Sequence, residues 1–164
     1  MSKRRENDNH NAKININESF TIRIQRLNKP AIKISSVRRK VVLFFYPRDN
    51  TSGCTVEAKA FTSLLCEFEA LNTKVIGISK DSVKSHEKFI TKQELGIPLL
   101  SDKLSNVCEK FDVWKEKSMY GKTFFGIERS TFLINGEGQV IREWRKVKVS
   151  GHVEDVLMAV KELL

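Results

Sequence analysis

Apolar side chains run unbroken from Val41 to Tyr46, whereas Phe20 to Leu27 and Ala31 to Ile34 alternate apolar with polar positions. Period-two alternation marks a strand with one wet face, and Asn28-Lys29-Pro30 between the two stretches supplies a turn, so a β-hairpin is expected within residues 14–34. The unbroken run implies a central strand covered on both faces. Downstream, Val56, Ala60, Leu64, Phe68 and Leu71 recur at helical spacing, which predicts one helix from Thr55 to Leu71 with that stripe inward. Lys74 to Ser79 reads as a second buried strand. Asp81 or Ser82 can cap a helix reaching about Glu94 and carrying Val83, Phe89 and Ile90. Leu99-Leu100 reads as a short strand or extended segment, Leu104 to Phe111 as a short helix, and Val113 to Gly126 as a long apolar loop holding Trp114, Met119, Tyr120, Phe124 and Phe125. Thr131 to Ile134 and Gln139 to Trp144 flank the turn Asn135-Gly136-Glu137-Gly138, a hairpin signal. The chain closes on an amphipathic helix, 151–164, with Val153, Val156, Leu157, Val160 and Leu164 inward. Strands alternating with helices indicate an α/β fold: a central mixed β-sheet flanked by helices, preceded by an N-terminal β-hairpin.

Composition narrows the class. At 164 residues the chain fits one domain, expected over 14–164, with a polar, Asn-rich tail over 1–13 expected to be disordered. No apolar run approaches the ~20 residues of a membrane span, and no secretory leader opens the chain, so a cytoplasmic protein without membrane contact is expected. The net charge of +9 is concentrated at one end: residues 1–40 carry 11 Lys and Arg against 3 Asp and Glu, and the remainder 18 against 17. A nearly neutral body with a basic arm that lacks interleaved aromatics argues for a solvating tail and against specific nucleic-acid binding. Three cysteines at wide, irregular spacing form neither a disulfide framework nor a zinc set, which fits a reducing compartment; no metal and no cofactor is expected.

Cys54 stands apart. It follows the Val41–Tyr46 run through Pro47-Arg48-Asp49-Asn50-Thr51-Ser52-Gly53 and precedes a helical pattern, so it falls in the first turn of a helix. Unpaired N–H groups and the dipole favour an anion there. A free thiol titrates near ~8.5, and such a position or a nearby cation lowers this by roughly 1–5 units. The polar, turn-forming approach argues for an exposed sulfur. A thiol at a strand-to-helix junction of a mixed sheet is a thioredoxin-like arrangement.

The spacing Pro47-x-x-x-Thr51-x-x-Cys54 resembles the signature of the peroxiredoxins, and Phe45 to Ala58 more narrowly resembles the bacterioferritin-comigratory (Q-type) subfamily. Val75 to Ser79, Pro98 to Asp102, Val107 to Phe111, Trp114 to Lys117 and Gly126 to Ile134 continue the resemblance in order, so that it covers the chain from about residue 17 onward. It implies a thiol peroxidase acting on hydrogen peroxide and organic hydroperoxides through a Cys54 thiolate and a sulfenic acid. The implied roles are chemically coherent. The Thr51 hydroxyl would reach sulfur and peroxide, the backbone N–H groups of Gly53 and Cys54 would add donors, Arg129 would supply a fixed cation, and Pro47 would wall the pocket. Taken singly, Thr51 could be a helix cap, Arg129 a solvated strand-end residue and Pro47 a strand terminator.

Closing the cycle requires a second thiol. Many subfamily members place one five residues after the attacking cysteine, where this chain has Lys59, and others in the region of Phe89-Ile90-Thr91, again without cysteine here. Cys66 lies 12 residues along the expected helix, about 18 Å by rise alone and beyond the ~7 Å limit of a disulfide; its neighbours suggest burial. Cys108 is the remaining candidate, although Val107 and Phe111 suggest that it is packed. A one-cysteine cycle is therefore expected, with thioredoxin, glutaredoxin or glutathione as reductant. The resemblance implies a monomer. Ser52 replaces a usual proline, and the Ala-Pro-x-Phe opening of the family is missing. Rival readings are a cysteine hydrolase or transferase using His86 or His152, both expected on the surface, and a thioredoxin-like redox sensor or binding module without efficient turnover. A phosphatase loop would need an arginine within Thr55 to Phe61, where there is none.

Overall fold

The computed structural model describes residues 39–163; the expected tail and N-terminal hairpin, and Leu164, lie outside them. The unbroken apolar run becomes β1 (Lys40–Phe45). It lies between β2 (Thr73–Ser79), which runs parallel to it, and β6 (Ser130–Ile134), which runs antiparallel. β3 (Leu99–Ser101) extends the sheet beyond β2 and β7 (Val140–Trp144) beyond β6, giving the order β3-β2-β1-β6-β7. This is the thioredoxin-like mixed sheet that the pattern of elements predicts.

Alternate residues of β1, with Tyr46 just beyond it, feed two separate cores. Val42, Phe44 and Tyr46 pack with Phe61, Phe68, Phe89 and Val156 on one face, and Val41, Leu43 and Phe45 with Cys108, Phe111 and Ile127 on the other. Each aromatic in these layers contributes about 1.5–3 kcal/mol through burial. Phe44 stacks on Phe61 at 4.5 Å between centroids. Helices α3 (Val83–Gln93) and α5 (His152–Glu162) help to cover the first face, and α4 (Val107–Lys110) the second. The Ser82 hydroxyl caps α3 by accepting from the Ser85 N–H, at 3.1 Å.

Gly77 in β2 leaves room for its neighbours. A Cβ there would sit 2.7 Å from both Leu99 Cδ2 and Phe44 Cζ. Gly77→Ala should therefore cost about 1–3 kcal/mol by overpacking, read as a lower urea midpoint at unchanged m-value.

Several expectations are corrected. The helix expected from Thr55 to Leu71 is two, α1 (Ser52–Ser63) and α2 (Leu65–Ala70), broken at Leu64. The inward face of α1 is Cys54, Glu57, Ala58 and Phe61, while Val56 is 58% exposed. A charged residue in the true stripe disguised it. Cys66, expected to be buried, is exposed on α2. The expected loop from Val113 to Gly126 is an antiparallel pair, β4 (Trp114–Met119) and β5 (Lys122–Ile127). Its alternation is masked because Trp114 and Phe125 share one face with Glu116 while Phe124 and Met119 share the other with the lysines, and the reversal is made by Tyr120 and Gly121, both at positive φ. Neither histidine is on the surface: His86 is 2% and His152 5% exposed. His152 pairs its Nε2 with Thr131 Oγ1 at 2.7 Å, and burial drives its pKa down to about 4. Among the described residues no helix is long and apolar enough to cross a membrane.

Candidate active site

Beyond β1 the chain turns sharply. Asn50 takes a positive φ of 58°, a conformation that Asn tolerates better than most residues. Thr51 then returns to extended backbone as the N-cap of α1. Its carbonyl accepts from the Thr55 N–H at 2.9 Å and the Thr55 hydroxyl at 2.7 Å. Cys54 consequently sits in the first turn, the part of a helix whose N–H groups lack intrahelical acceptors.

The expected exposure of the sulfur is corrected: Cys54 is 1% exposed and joins the core beside Tyr46 and Ala58. Arg129, in the link between β5 and β6, reaches across to it. Its Nη2 donates to Cys54 Sγ at 3.3 Å and its Nη1 to Glu57 Oε1 at 3.1 Å. The guanidinium passes over Gly53, where a Cβ would stand 3.2 Å from Nη2. Burial opposes the charge on Arg129, yet Glu57 and Cys54 beside it raise its pKa.

Glu57 is the residue that sequence reasoning missed. Three positions after Cys54, it lies on the same face of α1, is fully buried, and its Oε2 has no hydrogen-bond partner among the described residues. Burial raises its pKa to about 7, an effect that Arg129 offsets only in part. The helical spacing from Cys54 was the available signal. Lys117 on β4 is a second cation close by. Its Nζ donates to Ile127 O at 2.5 Å, and its pKa is lowered, by burial first and then by Arg129.

Other expected site residues are placed differently. Thr51 is exposed, and its hydroxyl donates to Arg48 O at 2.9 Å, neither capping the helix nor bonded to the sulfur. Pro47 is exposed at the end of β1. Gly53, half-buried, precedes Cys54 in the first turn of α1. Cys108 is not near the sulfur's surroundings: it belongs to the core on the opposite face of the sheet. Its N–H donates to Asp102 at 2.8 Å, and burial together with Asp102 pushes its thiol pKa far up. A bridge between Cys54 and Cys108 would have to pass through β1 and its neighbours.

What this arrangement offers is a sulfur, a guanidinium in contact with it, and a set of helix-start donors, the parts needed to break a polar bond by thiolate attack. Comparison with known proteins agrees. The AhpC/TSA family model matches residues 18–143. The chain is 54% identical over 121 residues to peroxiredoxin Bcp of Xanthomonas campestris pv. campestris, covering 74% of this chain and 76% of that one. Identity to peroxiredoxin Bcp of Bacillus subtilis is 47% over 133 residues, covering 80% and 85%. A solved structure of the Xanthomonas campestris bacterioferritin comigratory protein, obtained in work on its alkyl peroxide reduction, superposes with a TM-score of 0.73 at 52% identity, covering 77% of this chain and 80% of that one. On these matches the chain belongs to the peroxiredoxins of the AhpC/TSA family, in the bacterioferritin-comigratory (Q-type) branch.

Proposed function

We propose that the protein is a thiol peroxidase in which Cys54 reduces hydrogen peroxide and organic hydroperoxides by a one-cysteine cycle. The observation that carries this reading is the 3.3 Å contact from Arg129 Nη2 to Cys54 Sγ at the start of α1. The Cys54 thiolate attacks one peroxide oxygen, the O–O bond breaks, and the second oxygen leaves as hydroxide or alkoxide that takes up a proton. Cys54 becomes a sulfenic acid. Arg129 stabilises the thiolate and the charge building on the departing oxygen, with backbone N–H groups of Gly53 and Cys54 as further donors. Thr51 and Ser52 are exposed and Gly53 half-buried, so the first turn of α1 is where a small peroxide reaches the sulfur. For Thr51 to donate to peroxide its hydroxyl must leave the Arg48 carbonyl, a rotation about one side-chain bond.

Return to the thiol uses an external thiol. It attacks the sulfenic sulfur, water leaves, and a second thiol resolves the mixed disulfide. Thioredoxin, glutaredoxin and glutathione fit this chemistry. With Cys108 across the sheet and Cys66 exposed on α2, the described cysteines offer Cys54 no neighbour to resolve it. The proposal extends to a monomer working in the cytoplasm, where such reductants are kept reduced.

Mass spectrometry after one equivalent of peroxide tests the cycle. The expected product is Cys54 sulfenic acid, trappable by a dimedone-type probe, followed by sustained turnover when a thiol donor is added. An intramolecular disulfide would overturn the one-cysteine cycle. A single stoichiometric oxidation that no thiol donor reverses would favour a redox sensor over an enzyme.

A further inference from the structure

The turn that carries Cys54 is fastened at one point, Asp49, by buried polar groups that the chemistry above does not use. Asp49 is 8%, His86 2% and Tyr46 0% exposed. The Tyr46 hydroxyl donates to Asp49 Oδ1 at 2.6 Å, while Asp49 Oδ2 takes the Ser85 hydroxyl at 2.7 Å and lies 2.8 Å from His86 Nδ1. The Asp49 backbone N–H donates to Asp81 Oδ2 at 2.8 Å, and Asp81 Oδ2 also accepts from the Ser79 hydroxyl at 2.7 Å. His86 Nε2 faces the Leu100 carbonyl at 3.0 Å. Burial raises the Asp49 pKa, yet His86, Tyr46 and Ser85 together hold it below the usual carboxylate range.

Asp49, Asp81 and His86 place ligand-type atoms within 4.8 Å of one another. Each already has a protein partner, so the cluster works as a hydrogen-bonded joint. It ties the turn to the end of β2 through Asp81, to α3 through Ser85 and His86, and to β3 through Leu100 O. On the far side of Asp49 come Asn50 at positive φ and then the start of α1. The joint therefore fixes where that helix begins.

We propose that Asp49 and His86 are positioning residues, a latch that holds the Cys54 turn closed beneath Arg129. The latch rests on the peroxidase reading, because two demands on Cys54 conflict. A peroxide reacts with a sulfur held against Arg129, whereas a bulky external thiol must reach a sulfur that is 1% exposed. A closed latch favours the first reaction, and release of the turn favours the second. Burial of Tyr46, Asp49 and His86 makes half-formed states costly, since a lone buried carboxylate or imidazole loses its compensating bonds.

Two substitutions separate the bonds of His86. The amide nitrogen of asparagine can stand in for Nδ1 and that of glutamine for Nε2, so His86→Asn keeps the tie to Asp49 and His86→Gln keeps only that to Leu100 O. In a Cys66→Ser background, the rate of peroxide reaction and the rate of iodoacetamide alkylation at Cys54 are measured beside urea stability. With His86→Gln the peroxide rate should fall by about tenfold or more, as displacement of a reacting group by a fraction of an ångström allows, while alkylation should rise several-fold, on the order of the gain in open population. His86→Asn should restore both. Val107→Ala, in the core across the sheet, supplies a control of lowered stability without a disturbed latch.

Opposite movement of the two rates, restored by asparagine and missing from the control, is the expected result. Rates that stay unchanged, that fall together as in Val107→Ala, or that respond alike to glutamine and asparagine would overturn the latch. Failure of the unsubstituted protein to consume peroxide would instead refute the peroxidase reading, and the alkylation rates would still decide whether the latch exists.

Discussion

Cys54→Ser should abolish peroxide reduction, leaving only the slow reaction of the thiol donor with peroxide in buffer. Oxygen in place of sulfur keeps the approximate size of the side chain, but a serine hydroxyl is hardly ionised and cannot store two electrons as a sulfenic acid does. Loss of a covalent nucleophile removes on the order of 10⁴-fold or more of the rate. The side chain is 1% exposed, and serine can still accept from Arg129 Nη2, so folding should survive with a change of about 1 kcal/mol or less. Cys66→Ser, at an exposed site, supplies the matched control and should retain turnover. Stopped-flow mixing with hydrogen peroxide and with an alkyl hydroperoxide, followed through a coupled thiol donor, reads both variants. Turnover by Cys54→Ser above the buffer reaction would remove the sulfur from the mechanism.

The sheet was legible because its signals are local and redundant. Val41 to Tyr46 cannot be an exposed strand, and the Asn135 to Gly138 turn permits little besides a hairpin. Errors arose where polar residues occupy apolar positions. Glu57 sits in the inward face of α1 and Val56 points outward, so the expected stripe began on the wrong residue, although Ala60, Leu64, Phe68 and Leu71 do pack against the core. His86 and His152 looked like surface residues because nothing local reveals that an imidazole will find Asp49 or Thr131 from another element. Burial of a polar side chain is decided by a partner distant in sequence. Arg129 was legible only through the motif around Cys54 and the family resemblance. No periodicity in β5 or β6 could place its guanidinium on a sulfur 75 residues earlier. Nothing in the pattern around Thr51 reveals that its hydroxyl takes the carbonyl of Arg48, three residues back in the same turn.

Arg129→Met should slow peroxide reduction by about 10²–10³-fold, the usual cost of removing a donor aimed at developing negative charge. Methionine preserves the apolar stem, so the loss reports on the guanidinium. Its removal also strands Glu57, whose carboxylate, among the described residues, has no hydrogen bond besides that of Oε1 to Nη1. An unpaired carboxylate in that position is costly, and Glu57 should be driven further toward its neutral form. Glu57→Gln keeps Arg129 beside the sulfur and should cost only about tenfold, through looser aim of the guanidinium. If Glu57 acts through Arg129, adding Glu57→Gln to Arg129→Met should change the rate no further, since the two effects are not independent. Second-order rate constants from stopped-flow traces decide this. An Arg129→Met rate within about threefold of the original would end the case for electrostatic stabilisation at this site.

The same pair carries a signature in stability. Glu57 titrates at about 7 in the folded protein against an ordinary value of 4.5, burial being the leading cause. Between those values the native state binds more protons than the unfolded chain, so the contribution of this group is complete below 4.5 and is lost as the pH climbs through 7. The size of that loss is about 3 kcal/mol at most. Relative to Glu57→Gln, the unsubstituted protein should therefore lose stability to urea between about pH 5 and about pH 8. An identical pH dependence in both would mean that Glu57 is already ionised throughout, held by Arg129 more firmly than its orphaned oxygen suggests.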